Sequence, residues 1–292
     1  TCAAPLQFLQ TRMTSNALTT PASILSPTPL FRTRAISLWL FLALPLFAQT
    51  NWLGAPVPDS PAVSQLRTSG NACGPACLLD AFRSGGEKWR KSLEKISGDT
   101  DTTKIIAIIK GHANKASRLD KTKARWNPRA GISGADLADM ANEMRTSGWM
   151  GTVKFKTLFR ASRQSSPDLL QRTHRSLAKS LNKGLPPIIS IRRMAYRRIA
   201  NSQTKGWLSV KRHYVVLTGL PEKLSANATS FEVTYHDPWG GKALKGTIQI
   251  ADAKTHSLAT LIANFPDSKI GRNLIKGGEP TVLSFSSALG LF

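Results

Sequence analysis

Asn71-Ala72-Cys73-Gly74-Pro75-Ala76-Cys77 is the stretch on which the fold of this chain turns. It predicts a helix start: Pro75 has the φ of a first helical turn, Leu78, Leu79, Ala81 and Phe82 continue an apolar face, and Gly85-Gly86 supplies the stop. A thiol at that start faces backbone amides that no earlier turn can satisfy, together with the positive end of the helix dipole. Both favour the thiolate, so Cys73 has the setting of a nucleophile. Cys77, four residues later among Ala and Leu, reads as a small buried hydrophobe. A disulfide between the two is poor geometry within one helical turn.

Outward from this point, helix patterns come first and strand patterns last. Ser133 with Asp136 three residues on, and Leu137, Met140, Ala141 and Met144 on one face, predicts a capped helix. Leu169 to Leu181 predicts another, ended by Asn182-Lys183-Gly184. Ile105 to Ile109 is a short apolar run whose periodicity fits helix or strand. Strands are predicted at 187–191, 214–218, 231–235, 247–250 and 281–285. Helices followed by antiparallel strands make an α+β arrangement.

His213 heads the second of these strands and Asp237 follows the third. Side-chain alternation puts Asp237 on the apolar side with Phe231, Val233 and Tyr235, and turns His236 the other way as a surface or packing residue. His112, His174 and His256 have no comparable company and read as surface residues. A thiolate nucleophile needs a base, and the base needs an acceptor that fixes its tautomer. Cys73, His213 and Asp237 can fill those roles in that order. His213 follows Cys73 by 140 residues, a separation found between Cys and His in papain-type chains. The same residues with Cys77 are also legitimate zinc ligands, although Cys-x-x-x-Cys with a distant His is not one of the sharper zinc spacings.

Cys-Gly-Pro-Ala-Cys-Leu from Cys73, His-Tyr-Val-Val-Leu-Thr-Gly from His213 and His-Asp-Pro-Trp-Gly-Gly from His236 together resemble the bacteriocin-processing (double-glycine) peptidase family, which are papain-like cysteine peptidases. The resemblance covers roughly residues 60–250, with weaker support at Gly131-Ile132-Ser133 and Gly184 to Ile189. It implies a papain-like α+β fold, in which an N-terminal helical part carrying the Cys packs on a C-terminal antiparallel sheet carrying His and Asp. It also implies Cys73 as nucleophile, His213 as base, Asp237 as its orienter, a peptide or protein substrate, and neither metal nor other cofactor. The family places a Gln before the nucleophile to help hold the oxyanion. Gln65 is the upstream candidate, two residues farther away than the papain-like pattern usually has it. Asn71 is nearer but reads as a turn residue.

Charge points to partners. Lys and Arg number 40 against 17 Asp and Glu, a net charge of +23 that attracts polyanions. Hydrophobic residues at 41% and charged residues at 20% exclude a wholly disordered or fibrous chain. Arg32 and Arg34 precede the apolar run Ala35 to Phe47, and Ala48 follows it, the pattern of a secretory signal peptide. At 13 residues the run is short for a membrane span. The expected organisation is therefore an N-terminal extension and signal peptide over 1–48, a Pro- and Gly-rich linker over 49–64, and a peptidase domain over 65–292. The product would be exported: periplasmic, envelope-associated or secreted. Between Lys154 and Arg212 there are 15 basic residues and one acid, Asp168, densest at Arg192, Arg193, Arg197 and Arg198 around Tyr196. Such a run is either a solvated face or a patch for an anionic envelope surface, with nucleic acid a less expected partner for an exported chain. Because it ends at His213, it also borders the site and would favour acidic substrates. Two rival functions share these residues: a cell-wall peptide hydrolase or transferase, and a non-catalytic envelope-binding module.

Overall fold

The computed structural model describes residues 51–292. The predicted signal peptide lies outside the described residues. The chain begins with a short strand, β1 (Trp52–Gly54), and then enters the helix predicted from the Cys-Gly-Pro stretch, α1 (Cys73–Arg83). Next come α2 (Glu87–Ser92) and α3 (Asp101–Ile108). The ambiguous run 105–109 falls mostly in α3, because Thr100 and Thr103 form a reciprocal capping box at its start. A two-strand ribbon, β2 (Trp126–Asn127) and β3 (Gly131–Ile132), leads into α4 (Gly134–Met144). Ser133 caps α4 as its sequence predicts: its hydroxyl accepts from the Asp136 amide at 3.1 Å and donates to the Asp136 carboxylate at 2.7 Å. Ser133→Ala is expected to destabilise the protein by about 1 kcal/mol. A denaturant titration with an unchanged slope and a lowered midpoint would show it.

The remaining elements are β4 (Lys154–Thr157), α5 (Ser166–Asn182), β5 (Ile188–Arg198), β6 (Lys205–Pro221), β7 (Ser230–Asp237), β8 (Lys242–Gln249), β9 (Leu261–Asn264) and β10 (Thr281–Gly290). Gly184, at φ +79°, turns the chain out of α5 in a conformation other residues rarely adopt.

These strands do not form an open sheet. β6 pairs antiparallel with β5 on one side and β7 on the other. The path from β7 through β8, β9 and β10 returns to β5. Six strands thus close into an antiparallel barrel with a few helices around it. This corrects the expected fold, the papain-like α+β arrangement of a helical part packed on an open sheet. The physical reason is that closure rests on two features invisible to local pattern. One is β9, whose three buried residues are too few to stand out in the sequence. The other is the pairing of β10 with β5, which joins segments far apart in the chain. β1 adds to the barrel along β6, and β4 along β10.

β6 is buried on both faces where its apolar run lies. Val215 and Leu217 join Ile189, Ile191, Val233, Tyr235 and Phe285 in one core, to which α5 adds Leu169, Leu170, Leu177 and Leu181. Val216, with Ile188 and Leu289, belongs to a second core built with α1, α3 and α4. That is why Tyr214 to Leu217 reads as continuous rather than alternating hydrophobicity. Residues 51–64 are part of this structure and not a free tether: β1 pairs with the end of β6, and Ala55 and Val63 are buried. His174, read as a surface residue, is buried on α5 with its Nε2 against the Pro221 carbonyl at 2.7 Å.

Candidate active site

Cys73 is the first residue of α1. The residue before it, Ala72, offers no side chain to cap the helix, so the first-turn amides stay available. Gly74 permits close packing here, since a Cβ at that position would run into the Ile132 side chain. β6 passes the start of α1 and places His213 beside the thiol. β7, the next strand of the barrel, ends at Asp237, and the register Val216↔His236 sets Asp237 diagonally across from His213 on the same face.

The structure therefore brings Cys73, His213 and Asp237 together. His213 Nε2 and Asp237 Oδ1 are 2.7 Å apart, both groups almost fully buried. The same oxygen accepts the Trp239 amide at 2.8 Å, which locks the carboxylate in place. With Nε2 held by Asp237, Nδ1 is the ring nitrogen available to Cys73. Burial opposes charge on the thiol, but the hydrogen bond and charge of His213, aided by the backbone amides of Tyr214 and Gly74, bring its pKa below the ordinary value. Burial likewise opposes charge on His213, yet Asp237 and Cys73 outweigh it and raise the ring to about 9. A thiolate facing an imidazolium is the state this arrangement favours. Cys77 is different: fully buried, with its thiol pushed well above the ordinary value by burial and by the negative groups around it. No group of three His, Cys, Asp or Glu arranged to hold a metal occurs among the described residues.

Cys73 and His213 open onto a cleft of about 1130 Å³. Its far wall is the loop 117–135, pinned by the buried Asp136, which accepts from Ser117 Oγ at 2.8 Å and the Arg118 amide at 2.6 Å. Asn71 does more than turn the chain. It bonds the Arg129 carbonyl, takes the Trp126 indole N–H on its own carbonyl at 3.0 Å, and accepts from Lys211 Nζ at 3.1 Å. Gln65 is buried on the preceding loop, its backbone N–H donating to the Pro238 carbonyl at 2.9 Å, next to Asp237. Its Oε1 is buried and has no partner among the described residues.

The four arginines singled out in the basic run do not share one surface, because strand neighbours face opposite ways. Arg193 is buried and donates to the carbonyls of Ile270 and Ser268 at 3.0 and 3.3 Å. Arg197 is ion-paired with Glu279 at 2.6 Å. Arg198 is exposed, and Arg192 is half-buried in the cleft wall.

One residue was missed from sequence. Asp80 lies two turns beyond Cys73 on α1, buried, and accepts from His236 Nδ1 at 2.9 Å, Ser84 Oγ at 3.1 Å and the Val63 amide at 3.3 Å. The signal was an acid inside the apolar run Ala76 to Phe82. β7 is thus gripped on both faces, His236 by the helix that carries Cys73 and Asp237 by His213.

No protein-family model matches the chain, and no curated protein is similar to it.

Proposed function

We propose that the protein is an exported cysteine peptidase that hydrolyses peptide bonds through Cys73, His213 and Asp237. The observation that carries this is a thiol at a helix start, sharing its cleft with a buried His whose Nε2 is held by a buried Asp. The resemblance of three segments to bacteriocin-processing peptidases supports the same reading, and the basic-flanked apolar run 35–47 supports export. The Cys73 thiolate adds to the carbonyl carbon, and the electron pair of the C=O bond moves onto oxygen. Collapse breaks the C–N bond while His213 gives its proton to the leaving amine, leaving a thioester. Neutral His213 then takes a proton from water, whose oxygen adds to the thioester carbon; collapse breaks the C–S bond, releases the carboxylic acid and restores the thiolate–imidazolium pair. Asp237 holds the ring in the orientation both transfers need. Gln65 is our candidate for a donor to the oxyanion.

The test is alkylation and turnover against pH. Cys73 is expected to react with iodoacetamide below the ordinary cysteine range, and Cys77 only after unfolding, since thiolate is the reactive form. Hydrolysis is expected to rise as pH passes the lowered Cys73 pKa and to fall near 9, where His213 loses its proton. The stability that His213 gains from its partners follows the same upper edge: complete below its unfolded value of 6.5 and lost as pH passes about 9. His213→Ala should move the alkylation inflection upward. Equal labelling of Cys73 and Cys77 in the folded protein, read peptide by peptide, would defeat the proposal.

A further inference from the structure

Six basic residues line the cleft that holds Cys73 and His213. Two of them are spoken for: Lys123 pairs with Asp120 at 2.6 Å and Arg125 with Glu143 at 2.8 Å. Arg129, Arg192, Lys211 and Arg212 have no acidic partner among the described residues, and the only side chain that Lys211 bonds is the neutral Asn71. The remaining acid in the cleft, Asp136, is already saturated by Ser117, Arg118 and Ser133.

Arg192 and Arg212 stand directly opposite each other on β5 and β6. Like charges in that register repel and destabilise a sheet. Arg192 is also partly withdrawn from water, and its Nε is buried with no partner. Its pKa is lowered by burial first and by Arg212 second. An unmatched cation pair and an orphaned donor in the cleft that holds Cys73 disfavour the empty site and favour one filled by an anion. Guanidinium groups present a planar fork that matches a carboxylate, and cleft walls concentrate their field on whatever enters.

We infer that the cleft takes a peptide carrying a carboxylate next to the scissile bond, held by Arg192 and Arg212. This rests on the peptidase reading for the word peptide, but the charge preference stands on the cleft alone. The carboxylate has two sources, an Asp or Glu side chain or the terminal carboxyl of the chain.

Two alkylating agents of the same reactivity type separate the field from the chemistry. Iodoacetate carries a carboxylate and iodoacetamide does not. Cys73 of the full chain is expected to favour iodoacetate over iodoacetamide relative to a free thiol, by on the order of tenfold, and the preference should shrink with salt. Arg192→Gln with Arg212→Gln should abolish it while leaving the iodoacetamide rate near that of the parent protein. Acetyl-tetraglutamate amide should slow iodoacetamide labelling, and acetyl-tetraglutamine amide should not. Acetyl-tetraglutamine with a free carboxyl terminus then tells the two sources apart: protection by it assigns the terminal carboxyl. No iodoacetate preference, or one that the arginine variants keep, overturns the inference. So does protection by a single-stranded oligonucleotide but by none of the peptides. Turnover in a fluorogenic peptide library reports separately on the peptidase reading. Peptides cleaved without a preference for acidic members sink only the inference. An iodoacetate preference with no peptide cleaved sinks only the peptidase.

Discussion

Cys73→Ala is expected to abolish peptide hydrolysis, with a loss in kcat/KM of about four orders of magnitude or more and little change in the melting temperature. In the proposed mechanism the thiol supplies the bond-forming atom, and alanine offers none in its place. His213→Ala should lose about as much, and the double variant scarcely more, because nucleophile and base act as one unit. Asp237→Asn is the sharper case. It keeps the shape of the side chain that Nε2 of His213 meets at 2.7 Å, but offers one oxygen where there were two. Asn fills this role in papain-like proteases and its oxygen can accept from an imidazolium N–H, so Asp237→Asn is expected to cost far less than His213→Ala and mainly to bring the upper limb of the pH profile below about 9. Rates measured on any peptide that the parent protein cleaves decide it. A Cys73→Ala protein that keeps a tenth of the activity places the chemistry elsewhere.

The largest stability effect is expected at Asp80, not at the triad. Asp80 accepts three hydrogen bonds in a position with almost no solvent access. Asp80→Ala leaves His236, Ser84 and the Val63 amide without their acceptor, and breaking a buried pair in this way costs about 3 kcal/mol or more. Asp80→Asn, which keeps an acceptor oxygen, should recover part of it. The midpoint of denaturant unfolding measures both, with Cys73→Ala as the reference that leaves this network intact. Because Asp80 ties α1 to β7, the alanine variant should also lower the alkylation rate of Cys73 in the fraction that remains folded. A loss below about 1 kcal/mol would mean that water replaces the acceptor and that the contact does not set the position of α1.

Local patterns carried part of this structure well. The α1 start was legible because Gly-Pro and the apolar run obey rules that act over a few residues, and the cap at Ser133 for the same reason. Alternation along 231–237 turned Asp237 and His236 to opposite sides, and the structure keeps them there, one against His213 and the other against Asp80. What alternation could not supply was the partner on the far side. His236 reads as a packing residue from its own strand, and only the placement of α1 makes it the anchor of the helix bearing Cys73.

Charge shows the same division. The basic run between Lys154 and Arg212 is plain in the sequence, yet proximity along a strand says nothing about proximity in space. Barrel geometry sends Arg193 inward to backbone carbonyls, ties Arg197 to Glu279, and sets Arg192 across from Arg212 in the cleft. Arg192, Arg193, Arg197 and Arg198 therefore do not form one continuous patch.

By itself the sequence determined that a thiol opens a helix, that a His and then an Asp follow it in strand segments, the Asp at a strand end, and that the chain is strongly cationic. These follow from periodicity, capping and composition, which act over a few neighbouring residues. His213, expected to head its strand, lies inside the longer β6. Only the tertiary structure decided that the strands close into a barrel, that residues 52–54 add a strand to it, and that four cations meet in the cleft without an acidic partner among the described residues. Closure depends on a pairing between segments far apart in the chain, β5 with β10, and the meeting of Arg192 with Arg212 depends on the register of the β5–β6 pair. Such pairings are selected by the packing of whole faces, to which no local stretch of sequence gives access.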